Sequence, residues 1–208
     1  MNGNWGLSVF YKSFDDPQIE SDFARIDALI PQMKAVLTEG GDAVAVLTQF
    51  ADLEEELSTL FDKLGSFANL TLATEASNAS AMQLMDRVMQ LSVPAELLGS
   101  AFSRYLGAMD AEALEAAIAS SDKLQAIAFY LRRSRDAAQH NPDPEIEEWL
   151  LRMSLDGANA FSTLRDQLDA TVTVDYRGEQ LPLSAVRGKA EDPDPQVRRD
   201  ASLAELAS

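Results

Sequence analysis

Cysteine is absent from the 208 residues and histidine occurs once, at His140. Without cysteine there are no disulfides and no thiolate metal sites, which fits a reducing compartment. A single imidazole excludes a His-Glu-x-x-His zinc helix within this chain, and any hydrolytic centre built on two histidines. No apolar run approaches the roughly 18 residues of a membrane span. The opening Met1-Asn2-Gly3-Asn4-Trp5 lacks the basic-then-apolar pattern of a secretory signal, so the cytoplasm is the expected compartment. The ten glycines are scattered. They form no Walker loop, no Gly-x-Gly-x-x-Gly after a strand and no Gly-x-Ser-x-Gly elbow.

Positive charge is also scarce, with 17 basic residues against 34 acidic ones and a formal charge of −17. That field repels phosphate backbones and anionic lipid, so neither nucleic acid nor a membrane surface is an expected partner. The one basic patch, Arg132, Arg133 and Arg135, fans over more than one helical face and reads as pairing with neighbouring acids.

What is present is helical periodicity, punctuated by Asp-Pro starts at Asp16-Pro17, Asp143-Pro144 and Asp194-Pro195. Asp accepts from the free N–H groups of a first turn, and Pro at the next position has none to satisfy. From Pro17 the residues Ile19, Phe23, Ile26, Leu29 and Ile30 recur at helical steps, with Pro31 expected to kink or split the helix and Gly40-Gly41 to end it. A long helix is expected from Asp42 through Leu70, with Glu54, Glu55 and Glu56 on its outer side, then a loop over Ala73–Asn78. Met82, Met85, Val88 and Met89 mark a third helix, and Pro94 a fourth carrying Leu97, Leu98, Phe102 and Leu106. Asp110 opens a fifth, Leu124–Ala138 a sixth, and Pro144–Leu168 a long seventh. Thr171–Tyr176 then alternates with period two, Arg177-Gly178 supplies a turn, and Glu179–Leu183 returns. Helices at Leu183–Ala190 and from Asp194 complete the chain. The fold class expected is mainly α, an irregular antiparallel helical bundle with one small β-hairpin near residues 172–183. No linker divides it, so residues 1–208 read as a single helical domain.

Candidate chemistry is sparse. His140 lies in Gln139-His140-Asn141-Pro142-Asp143-Pro144, where it closes the sixth helix while Asp143 opens the seventh. The carboxylate runs Glu54–Glu56 and Glu147-Glu148 read as solvated helix faces. Asp192 and Asp194 do not follow EF-hand spacing, although composition leaves a carboxylate-only Mg²⁺ or Ca²⁺ site open. Met82, Met85 and Met89 read as core, and Trp5 and Trp149 as packing anchors. No catalytic, cofactor-binding or metal-ligating residue is assigned.

Several segments, in order, resemble the N-terminal region of oligoendopeptidase F and its relatives among the thimet-oligopeptidase-like zinc metallopeptidases. Trp5-Gly6-Leu7-Ser8, Phe10-Tyr11 and Ser13-Phe14-Asp15-Asp16-Pro17 are similar to that family's opening. Leu60–Leu70, continuing to Asn78, is similar to a helix ending in an aromatic-x-x-Leu before a polar loop. His140 stands where the family joins two helices, with Pro142 and Pro144 around a position that tends to be Leu there, and Gly157–Phe161 and Leu164 follow on the next helix. The hairpin Val172–Leu183 and Val197-Arg198-Arg199-Asp200-Ala201 complete the series.

The resemblance implies a helical lobe that precedes a catalytic lobe and forms a wall of a channel for short peptides. Zinc, His-Glu-x-x-His and a downstream Glu are expected in that other lobe, so this chain alone is expected to be inactive. The final helix still cycles at Ala204, Leu206 and Ala207, which fits a chain read as the front of a longer one. Two rivals stay open: a standalone all-helical interaction module or degenerate relative, and an enzyme that uses only carboxylates and arginine. A lobe lacking its partner is expected to expose an apolar patch and to self-associate through it.

Overall fold

The computed structural model describes residues 6–75 and 78–207; Trp5 and the tip of the expected loop at 76–77 lie outside them. Packing divides the chain into two compact units, Met1–Met153 and Ser154–Ser208. The boundary falls within a helical stretch, where no Pro- or Gly-rich linker signals it. Among the described residues no helix is long and apolar enough to cross a membrane.

The first unit is built on three long helices. Helix α1, Pro17–Glu39, is capped by Asp16, whose carboxylate accepts from Gln18 N at 3.0 Å and from Lys12 N at 3.0 Å. It buries Ile19, Phe23, Ile26, Leu29 and Met33, and ends at Gly40, whose φ of 67° favours glycine. Helix α2, Ala43–Thr74, is capped by Asp42, and helix α3, Ala79–Ala108, by Asn78. Asp22 pairs with Lys63 and Arg25 with Glu56, so the contacts of α1 and α2 run in opposite chain order and the two helices are antiparallel. Phe50 of α2 stacks on Phe102 of α3 at 4.0 Å between centroids, with both rings fully buried. Both rings belong to the main hydrophobic core.

Neither internal proline divides a helix. Pro31 sits inside α1, and Pro94 sits inside α3 where a new helix was expected. A proline removes one ladder bond at a cost of about 3 kcal/mol. On α3, Leu84, Val88 and Val93 before Pro94 and Leu98, Phe102 and Leu106 after it are all buried. Burial of each large side chain returns about 1.5–3 kcal/mol, so continuity of the apolar stripe wins.

Short helices α4 (Ala111–Ala119), α5 (Asp122–Ala126) and α6 (Ala128–Ala137) follow. The expected sixth helix is therefore broken at Ile127, and the leucines on either side, Leu124 and Leu131, are both fully buried. A 3₁₀ turn, Ala138–His140, leads to α7, Pro144–Ser154. The long seventh helix expected here is also divided. A π-helical turn, Leu155–Asn159, contains Gly157 at φ −100° and ψ −106°, and α8 runs from Ala160 to Thr171. The helical path breaks at this glycine.

The second unit contains α8, a hairpin and two further helices. Strands β1 (Thr173–Tyr176) and β2 (Glu179–Pro182) pair antiparallel, with Tyr176 opposite Glu179. Arg177 and Gly178 both have positive φ, 56° and 84°, as a tight right-twisted hairpin turn requires. Helix α9 (Leu183–Gly188) and helix α10 (Pro195–Leu206) pack on the strands. Val174, Tyr176, Val186 and Ala201 form their small shared core. The expected fold class, mainly α with one small hairpin, is what the structure shows.

Candidate interaction face

His140 ends the 3₁₀ turn that closes α6 and is exposed, three residues before Asp143, whose carbonyl accepts from Glu147 N at 2.9 Å. Among the described residues no group of three or more His, Asp or Glu side chains is placed to hold a metal ion. His140 is a joint residue.

The carboxylate runs are not simply solvated. Glu147 is held by two groups of α3: the Ser100 hydroxyl donates to Oε1 and the Arg104 guanidinium donates to Oε2 at 2.9 Å. Its side chain is only 12% exposed. This contact fixes which face of α7 turns inward. Glu54 accepts from the Tyr130 hydroxyl at 2.8 Å; burial raises its carboxyl pKa, and the hydrogen bond only partly opposes that. Glu56 is bridged to Arg25, and Glu55 lies 3.6 Å from Lys123. Of the arginine patch, Arg132 makes a bidentate bridge to Glu115 of α4 at 2.7 Å, and Arg135 donates to the Met109 carbonyl at 3.3 Å.

The most polar cluster in the core was not anticipated. Asp22, 5% exposed, accepts from Tyr11 Oη, Gln18 Nε2 and Lys63 Nζ, each at 2.7 Å. Burial pushes its pKa up, but the three donors together hold the carboxyl below the ordinary aspartate range. Burial and the Asp22 charge push the Tyr11 hydroxyl upward. All the carboxylate's demands are met within the fold, so the cluster is structural. Its sequence signal is faint, since Asp22 lies among apolar positions of α1 without any motif.

Two sequence assignments change. In the first three turns of α3 the buried positions are Ala81, Leu84 and Val88, and the methionines Met82, Met85 and Met89 are only partly covered, with Met85 packed against the edge of the core. Trp149 is not a packing anchor: it is 63% exposed. It belongs to a stripe with Ile146, Leu150 and Met153, at helical steps of three, four and seven, and all of these are exposed. Glu147 turns toward α3 while this stripe turns outward, so α7 presents an exposed apolar face. Within the second unit, α8 carries a comparable exposed set in Phe161, Leu164 and Leu168. Exposed large apolar side chains are ordinary singly, but a helix-length stripe marks an interaction surface.

The class these observations define is a mainly α protein with no metal-binding trio among the described residues and an amphipathic helix whose apolar stripe is exposed. Residues 106–173 match the family model of Oligopeptidase F. The matched segment contains α4, which the sequence motifs leave out, and the whole of α7 and α8. The fold is similar to the crystal structure of oligoendopeptidase-F from Enterococcus faecium, with a TM-score of 0.70 at 15% identity over 92% of this chain. This chain spans 39% of the length of that one. The resemblance to an oligoendopeptidase-F N-terminal region is thus supported by sequence and by fold. Comparison with curated proteins gives no match.

Proposed function

We propose that this chain is the N-terminal helical lobe of a cytoplasmic, zinc-dependent oligoendopeptidase, and that it forms a wall of the channel admitting short peptides. The observation that carries the reading is the Oligopeptidase F match over residues 106–173, which contains the α7 stripe. Zinc does not fit the residues present, with one histidine, no cysteine and no metal-binding trio among the described residues. No hydrolytic step is therefore assigned to this chain, and zinc chemistry belongs to a separate catalytic lobe.

The chain's own part is physical. The paired long helices make a rigid wall, and Ile146, Trp149, Leu150 and Met153 offer the apolar surface on which the catalytic lobe rests. Four such side chains buried at a contact contribute about 1.5–3 kcal/mol each before association costs. The test is the reading frame beyond Ser208. A continuing frame with His-Glu-x-x-His and a downstream Glu is expected. A stop codon with no such sequence overturns the reading in favour of a standalone interaction module.

A further inference from the structure

A groove of about 330 Å³ opens between α2 and α3 in the first unit. Met33, Phe50, Leu57, Phe61 and Ala95 give it an apolar lining, while Glu54, Asp62 and Glu96 bring carboxylates to it. No basic residue lines it. Every basic side chain nearby on α2 is committed elsewhere, since Lys63 bridges to Asp22. Among the described residues Glu54 is hydrogen-bonded by the neutral Tyr130 hydroxyl and by no cation, and burial disfavours its charge. A cation in the groove would relieve that desolvation.

Gly99 supplies a separate observation. It lies inside α3, lines the groove, and has no positive φ. A Cβ built on it meets nothing within 4 Å. Neither backbone conformation nor close packing calls for glycine, and in a helix interior it costs about 1 kcal/mol relative to alanine. What it preserves is open space.

We propose that this groove docks a short peptide segment whose apolar side chain is flanked by lysine or arginine. Charge complementarity selects the occupant. Its length follows from α2, where Glu54, Ser58 and Asp62 succeed one another on one face. Eight residues of helical rise place the outer two roughly 12 Å apart, the span of about four residues of extended chain. A lone amine reaches one carboxylate; a peptide reaches them in turn. This inference stands apart from the peptidase reading, because it concerns binding to the first unit whether or not a catalytic lobe exists.

The test is isothermal titration of the purified chain with acetyl-Leu-Lys-Phe-Lys-amide and with its counterpart carrying glutamate for lysine. A chain of charge −17 attracts any basic peptide, so charge variants alone do not decide the matter. Gly99→Leu fills the groove while removing no charge, and its gain in helix propensity keeps the fold. The lysine peptide is expected to bind saturably at one site, with the glutamate peptide, Gly99→Leu and Glu54→Gln each weakening binding at least tenfold. Unaltered binding to Gly99→Leu at an unchanged melting temperature overturns the proposal, as does a lysine peptide that never saturates.

Discussion

Lys63 Nζ lies 2.7 Å from Asp22 Oδ2 and 4.3 Å from the centre of the Tyr11 ring, so one ammonium ties α2 both to α1 and to the segment before it. The tyrosine hydroxyl donates to the same carboxylate, and its ring meets Phe67 edge-on at 5.3 Å. The entry to α1 is thereby fixed by charge, hydrogen bond and packing together.

Asp22 makes folding stability sensitive to acid. Its carboxyl is depressed in the folded state, because the donations from Lys63, Gln18 and Tyr11 outweigh burial. The unfolded chain therefore takes up the proton first as pH falls. The contribution is complete above the ordinary aspartate range and disappears as pH drops through the depressed folded value. Urea melts from pH 7 to 3 are expected to show this loss, and Asp22→Asn is expected to flatten it. Asp22→Ala, which strands Lys63, is expected to cost about 3 kcal/mol.

Gly107 marks a close approach. A Cβ there would stand 2.6 Å from the Ala138 Cβ, in the turn that carries His140. Gly107→Ala is expected to lose about 1–3 kcal/mol through overpacking, despite alanine's better helix propensity. Ala138→Gly in the same chain is expected to restore most of it. Thermal melts of the two single variants and the double variant measure this coupling directly.

Glu147 orients α7. Glu147→Ala removes the acceptor shared by Ser100 and Arg104. Hydrogen exchange across Pro144–Ser154 is then expected to accelerate about tenfold, equivalent to about 1.4 kcal/mol, while the amides of α1 and α2 stay protected. His140→Ala, by contrast, is expected to change stability by less than about 0.5 kcal/mol, since an exposed joint residue has little to lose.

The apolar stripe of α7 should matter to partners and not to the fold. Trp149→Glu is expected to leave the melting temperature of this chain unchanged, because the side chain is exposed. In sedimentation experiments the same change is expected to reduce self-association of this chain at high concentration.

Much of this architecture was readable from residues. Asp16 and Asp194 cap helices as their Asp-Pro pattern suggests, a helix starts after Asp42 as expected, and Arg177-Gly178 makes the hairpin turn. Pro94 misled because a local preference worth about 3 kcal/mol is outweighed by buried side chains far apart in the sequence. Gly157 misled in the other direction: Met153, Phe161, Leu164 and Leu168 follow one another at helical steps of eight, three and four, which conceals the break between them. Trp149 looked like core because residue type, not the direction set by Glu147 and Arg104, is what a sequence displays. Charge runs such as Glu54–Glu56 gave no sign of their separate partners, which come from α1, α5 and α6.

The most direct measurement of the central claim is peptide hydrolysis in two preparations. One is this chain alone, made free of zinc; the other is a longer polypeptide in which the proposed catalytic lobe follows it. An unstructured fluorogenic peptide is expected to survive the first and to be cleaved by the second only when zinc is supplied, with Trp149→Glu lowering the rate. Cleavage by the isolated chain, rising and falling with the protein across a sizing column, would contradict the account.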